Sequence, residues 1–241
     1  MKQNLHTFKT PKELAGKFAV QLMDWVGNHS GKEFHLAISG GKTPDLLFDA
    51  LAGKYADSEL WQKIHFWWVD ERMVPPGDPE SNFGVVERLL FSRIKLPAEN
   101  IHRVKGENDP KAEALSYSAQ IRKRLEQTDG WPVFDLIILG MGDDGHTASI
   151  FPDQMELLTS DQICSVATHP VSGQKRVTLT GKAINHAGKI CFLVTGSSKA
   201  PRILQIFSQS PEAGQLPASH ITTASGSPEW YVDEAAVQKL G

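Results

Sequence analysis

The chain is short of cysteine, of long apolar runs and of like-charged blocks, and each shortage removes a class of protein. Only Cys164 and Cys191 occur among its 241 residues, so a disulfide-stapled scaffold is excluded. The opening segment MKQNLHTFKT lacks the apolar core of a leader peptide, which makes a reducing cytoplasm the expected compartment. The longest apolar runs, Phe134 to Gly140 and Lys189 to Val194, fall far below the ~18 residues needed to cross a bilayer, so no membrane segment is expected. Lys plus Arg total 25 against 28 Asp plus Glu, a net charge of −3, and the basic stripe of a nucleic-acid binder is missing. Neither H-E-x-x-H nor C-x-x-C occurs, so no metal site is expected.

What remains is an ordinary globular composition, 40% hydrophobic with Gly 20 and Pro 14, which rules out disorder, collagen and coiled coil. The apolar periodicity of Leu14, Phe18, Leu22 and Val26 predicts a helix over 11–28. Phe34 to Ile38 then reads as a buried strand, followed by a helix capped by Thr43 with Pro44 at its first position and running through Leu51. The alternation continues with a strand at Ile64 to Val69, a helix through Val85 and Leu90, and a helix from Pro110, capped by Asp109, to about Gln127. Phe134 to Leu139, Arg176 to Leu179, Lys189 to Val194 and Glu229 to Val232 complete the strands, with helices at Ser198 to Ser208 and Asp233 to Leu240. Strands apolar on both faces that alternate with helices imply an α/β fold, an open and mostly parallel sheet covered on both sides. No linker divides the chain, so residues 1–241 are expected to form a single domain. In such folds ligands bind beyond the carboxyl ends of the strands.

Several strand ends carry candidate chemistry. Ser39, Gly40, Gly41, Lys42 and Thr43 follow the first strand as a glycine-rich turn into a helix start, suited to an anion such as phosphate or simply to a tight turn. The window is also a variant of the nucleophile elbow, with Ala37 in place of a glycine and no oxyanion-loop motif beside it. Asp70-Glu71-Arg72 ends the next strand, where Arg72 suits an oxyanion and Asp70 a hydroxyl, or where the charges merely pair in solvent. Gly140 to Gly145 formally contains G-x-G-x-x-G, but Asp143 and Asp144 would repel a pyrophosphate. His146 behind that turn has the chemistry of a general base near neutral pH. Arg176, and Lys199 at a helix start where a cation is electrostatically unfavourable, are the cations that a bound anion would accompany. Cys164 and Cys191 read as core thiols, and Trp230 as packing.

Taken together, ISGGKTP, WVDERMVPPGDPESNFG and LGMGDDGHTASIFP, with RVTLT, FLVTGSSKA, PASH and EWYVDEAA after them, resemble the 6-phosphogluconolactonase family over essentially the whole chain. That family is related to glucosamine-6-phosphate deaminase. The resemblance implies hydrolysis of 6-phospho-D-glucono-1,5-lactone in the oxidative pentose phosphate pathway, on a metal-free α/β fold and with no cofactor. It implies His146 as the acid/base, Arg72 as a substrate or charge-stabilising contact, and the Ser39 to Thr43 loop, Arg176 and Lys199 as phosphate ligands. Asn82 joins them as a substrate contact, and Asp70 falls either to substrate hydroxyls or to orienting His146. The expected partner is a phosphorylated sugar lactone, met by a monomer or small homo-oligomer. Where deaminases read GHIAFNEP this chain reads GHTASIFP, so Phe151 stands in the place of a glutamate and cannot relay a proton. Gly77 in PPGDP and Ser198 before Lys199 are small departures from the commoner lactonase wording. A deaminase-like sugar-phosphate enzyme and a non-catalytic sugar-phosphate-binding regulator are the alternatives.

Overall fold

A computed structural model describes residues 4–223 and 226–240; residues 1–3 of the segment read for a leader lie outside it. The chain begins with β1 (Leu5–Phe8), α1 (Pro11–Asn28), β2 (Phe34–Ile38), α2 (Lys42–Tyr55), β3 (Ile64–Trp68) and β4 (Asp70–Arg72). It continues through α3 (Asn82–Leu89), β5 (Ile101–His102), α4 (Pro110–Arg124), the short hairpin strands β6 (Gln127–Thr128) and β7 (Trp131–Pro132), and β8 (Leu136–Leu139). The last part comprises β9 (Cys164–Thr168), β10 (Lys175–Leu179), α5 (Gly181–Asn185), β11 (Ile190–Val194), α6 (Ala200–Ser208), β12 (Glu229–Asp233) and α7 (Glu234–Val237).

A seven-stranded sheet runs β1-β12-β11-β8-β2-β3-β5, and every one of its pairings is parallel. Successive strands move one way from β2 through β3 to β5 and the other way from β8 through β11 to β12. Right-handed crossovers therefore place α1 to α3 on one face and α4 to α6 on the other; α1 packs on α2 and α2 on α3. Strands β2 and β8, neighbours at Leu36↔Leu136 and Ala37↔Ile137, flank the point where the order reverses, and there the loops diverge to leave a crevice. The strands are buried throughout, as their continuous apolar runs require: β2, β3, β8 and β11 expose none of their residues.

Helix α1 matches the range read from its periodicity, capped by Thr10 Oγ1, which accepts from Glu13 N–H at 3.1 Å. Other boundaries differ from the sequence expectations for physical reasons. Helix α2 starts at Lys42, with Gly41 rather than Thr43 as its cap; Gly41 has φ 119°, a conformation open to glycine at no steric cost. Helix α4 ends at Arg124 because Leu125 is already extended and Gln127 pairs in the β6–β7 hairpin, whose turn at Asp129 (φ 53°) and Gly130 (φ 81°) is an Asp-Gly hairpin signal. Arg176 to Leu179 forms a strand, but not in the main sheet. As part of β10 it joins β4 and β9 in a three-stranded antiparallel sheet. Phe134 precedes β8, Ser197–Lys199 is a 3-10 turn ahead of α6, and the final helix spans only Glu234–Val237. Edge strands β1 and β5, four and two residues long, are too short to show a period in the sequence.

Cys164 and Cys191 are buried free thiols; burial pushes Cys164 up to about 12 and Cys191 also well above the ordinary thiol value. Trp230 stacks on Phe192 at 4.0 Å, a packing role.

Candidate active site

The crevice is a cleft of ≈ 650 Å³ at the carboxyl ends of β2, β3, β8 and β11. Every candidate from the sequence reaches it: Ser39 to Thr43, Asp70, Arg72, Asn82, His146, Arg176 and Lys199 all line its wall.

The glycine turn is shaped by its neighbours. A Cβ on Gly40 would overlap the Asn82 side chain, whose Nδ2 donates to Asp70 O at 2.9 Å. Ser39 Oγ donates across the sheet to Ile138 O at 3.0 Å, and Thr43 Oγ1 meets Thr195 Oγ1 at 2.7 Å. Gly41 offers no side chain to cap α2, and Lys42 and Thr43 at the helix start line the cleft, a setting suited to an anion.

After β3 the chain leaves the main sheet, and β4 carries Asp70 and Arg72 on one face and Glu71 on the other. Glu71 is buried and accepts from the backbone N–H groups of Arg72, Asn82 and Phe83, each at 2.8 Å, and from Ser81 Oγ at 3.2 Å. It thereby ties the strand to the start of α3; burial raises its carboxyl, and these N–H bonds pull it back. Arg72 faces Arg176 directly across the β4–β10 ladder. Arg72 Nη1 donates to Glu80 O at 2.6 Å, while Arg72 Nε and Arg176 Nε are buried with no hydrogen-bond partner among the described residues. Burial pushes the Arg176 guanidinium below its ordinary value, Asp70 offsets this and Arg72 adds to it. Two like charges opposed in this way are unfavourable by themselves and favour an anion between or beside them.

His146 sits on a tight, strained turn. Gly145 has φ 88° and Ala148, which also lines the cleft, has φ 52°, a left-handed conformation that costs a side-chain-bearing residue energy. The turn is held by Thr147 Oγ1 donating to Gly140 O at 2.9 Å and by Gly142 N–H donating to His146 O at 2.9 Å. A Cβ on Gly142 would overlap the His146 ring, so glycine is required there. His146 Nδ1 lies 2.6 Å from Asp144 Oδ1, and the ring leans on Phe151 at 4.8 Å between centroids. Burial raises the Asp144 carboxyl, but hydrogen bonds and charge from His146 outweigh it and leave it at about 2. An ionised Asp144 accepts the Nδ1 proton, which leaves the Nε2 lone pair of the neutral ring free to take another.

Asp144, not Asp70, is therefore the partner of the imidazole. Asp70 Oδ2 instead accepts from Ser149 Oγ at 2.6 Å. In the sequence Asp144 shows only as an obstacle to dinucleotide binding; the signal of its role is an acid two residues before a histidine in a glycine turn. Lys199 is likewise partnered, its Nζ 2.6 Å from Asp143 Oδ1, so the helix-start cation is neutralised within the chain.

Away from the cleft, Glu33, His35 and His65 bring ligand-type atoms within 4.8 Å of one another near the amino ends of β2 and β3. Trp67 Nε1–H donates to His35 Nδ1 at 3.2 Å, which fixes the His35 proton on Nε2, the nitrogen that faces Glu33 at 3.4 Å. A nitrogen that carries a proton offers no lone pair to a metal, so the cluster fits a carboxylate flanked by two histidines better than a metal centre.

Residues 9–230 match the family described as glucosamine-6-phosphate isomerases/6-phosphogluconolactonase. The chain belongs to this family. A 6-phosphogluconolactonase of Haemophilus influenzae is 43% identical over 238 residues, spanning 98% of this chain and 100% of that one. The crystal structure of devB protein is 42% identical with a TM-score of 0.92 and covers 99% of both chains. The 6-phosphogluconolactonase from Trypanosoma cruzi, 26% identical, superposes with a TM-score of 0.86 over 98% of this chain and 96% of that one. The family's open parallel α/β sheet is thus the fold of this chain, and no helix among the described residues is long and apolar enough to cross a membrane.

Proposed function

We propose that the chain is a 6-phosphogluconolactonase in which His146, oriented by Asp144, is the general base. The enzyme hydrolyses the ester bond of 6-phospho-D-glucono-1,5-lactone to give 6-phosphogluconate. The observation that carries the mechanism is the 2.6 Å bond between His146 Nδ1 and Asp144 Oδ1 in the same cleft as the uncapped helix start of α2.

The lactone phosphate is held by the Ser39 to Thr43 loop, including Gly40, Gly41 and Lys42, with Arg176 and Lys199, the last releasing Asp143 as it turns to the ligand. Asn82 supports that loop. His146 Nε2 removes a proton from a water as it attacks the lactone carbonyl, general-base help worth about 10² to 10⁴ in rate. Arg72 stabilises the oxyanion that develops on the carbonyl oxygen. The tetrahedral intermediate collapses, the ring oxygen leaves, and His146 returns the proton to it as a hydroxyl. Asp70 binds substrate hydroxyls through whatever acceptor capacity Ser149 leaves free. Each step uses a side chain of this protein, so the chemistry requires no metal or cofactor.

Phe151 distinguishes this reaction from ring opening of an amino-sugar phosphate. It is fully buried against the His146 ring and offers no proton. Unpaired buried cysteines accord with a cytoplasmic enzyme, and a net charge of −3 accords with a small-molecule substrate rather than nucleic acid. We read 1–241 as one catalytic domain acting as a monomer or small homo-oligomer.

The test is hydrolysis of freshly generated lactone above its spontaneous rate by wild type and His146→Ala, with glucosamine 6-phosphate in parallel. Fast lactone loss that depends on His146 is the expected result. Ammonia release from the amino sugar without lactone acceleration would overturn the proposal.

A further inference from the structure

Ser149 touches no substrate atom in the chemistry just described; it is completely buried, directly behind Asp70, Ala148 and Arg176, which line the cleft. Its backbone N–H donates to Thr178 Oγ1 at 3.1 Å, its hydroxyl donates to Asp70 Oδ2 at 2.6 Å, and the same oxygen accepts from Arg176 Nη1 at 3.4 Å. Asp70 and Thr178 are opposite each other across the β4–β10 ladder, as are Arg72 and Arg176. Strand residues two apart share a face, so all four side chains project from one side of this ribbon, the side that meets the His146 turn.

Arg176 is 11% exposed and Asp70 7%, yet Arg176 Nη1 stands 3.9 Å from Asp70 Oδ2, beyond direct hydrogen-bond reach. The Ser149 hydroxyl fills that gap, donating to the carboxylate and accepting from the guanidinium. The other side of Arg176 lies over the Phe151 ring, 5.6 Å from its centroid. A long, flexible cation beside a like charge is thereby confined to one geometry by a hydroxyl, a carboxylate and a ring.

We infer that Ser149, together with Asp70, is a positioning residue for Arg176: it holds the guanidinium in place for the anionic group of the substrate, and it links the His146 turn to the ribbon that carries Arg72. The inference rests on the anion role proposed above for Arg176, and its test separates the two. Affinity for 6-phosphogluconate is measured by calorimetry for Ser149→Ala, Arg176→Ala and the double variant, together with the pH profile of kcat. Ser149→Ala is expected to weaken product binding about tenfold and to leave the pH midpoints of kcat where they were, since His146 and Asp144 are untouched. In the Arg176→Ala background the same change is expected to add less than about twofold, as required when one residue acts through another.

An equal loss from Ser149→Ala in both backgrounds would overturn the inference, because the hydroxyl would then be acting independently of Arg176. Unchanged affinity in Arg176→Ala alone would instead overturn the anion role of Arg176. If the alanine variant melts too early to measure, Ser149→Cys keeps the volume and weakens the hydrogen bonds, and the same comparison of backgrounds applies to it.

Discussion

At the carboxyl ends of the strands, His146 keeps 26% of its side chain exposed, takes a carboxylate at 2.6 Å and rides on a strained turn. Toward the amino ends of β2 and β3, His35 and His65 are buried with His102 around Trp67. His102 stacks on Trp67 at 4.0 Å, and His65 Nδ1 meets His102 Nε2 at 3.0 Å. Burial, reinforced by the neighbouring histidines, pushes His102 down to about 3 and lowers His35; burial also lowers His65, with Glu33 opposing it. The same side chain thus serves as a wet, ionisable group at one end of the sheet and as dry aromatic packing at the other. The environment makes the difference: His146 has its carboxylate beside the open volume of the cleft, whereas around His35, His65 and His102 burial penalises the protonated ring more than the nearby Glu33 favours it.

The comparison breaks most visibly at His146. Alanine there should cost about 10² to 10⁴ in kcat while leaving 6-phosphogluconate affinity within a few fold, as read by steady-state kinetics and calorimetry. Asp144→Asn should lower kcat by roughly 10², because the wrong tautomer becomes as favourable as the right one; full activity would mean that His146 is oriented by packing alone, as His102 is. Gly142→Ala drives a Cβ into the ring, and a displacement of about 1 Å predicts a fall in kcat of up to about 10² with modest change in product affinity.

The smallest effect lies at the dry end and concerns stability. A folded-state value for His102 of about 3, below the ordinary 6.5, means that its contribution is fully present above pH 6.5 and is lost as the pH falls toward 3. Between pH 7 and 5 the loss is on the order of 1 to 2 kcal/mol, a few degrees in Tm for a chain of this size. His102→Gln should flatten that dependence and leave kcat unchanged. An equally steep pH dependence in the variant would move the acid sensitivity to His35 or His65.

Which histidine was which could be read only in part from the sequence. His146 stood out because a glycine turn follows an apolar strand, and the resemblance to the lactonases fell on the same segment. Its partner Asp144 did not, because an acid two residues away in a loop can point anywhere until the turn is folded. The ribbon β4–β10 was equally hidden. Arg72 and Arg176 lie more than a hundred positions apart, and nothing local in RVTLT says that it leaves the main sheet to pair with DER.

The chain's own order of residues determined the alternation of buried strands and helices, the glycine turns and the places where chemistry gathers, because periodicity, propensity and φ preferences act over a few residues. Tertiary structure alone decided that β2 and β8 flank the reversal in strand order, that Asp144 rather than Asp70 serves His146, that Asp143 holds Lys199, and that Ser149 joins Asp70 to Arg176. Except for the Asp144–His146 pair, which depends on how one short turn folds, those are distances between segments remote in sequence, set by how the sheet packs and where its crossovers turn.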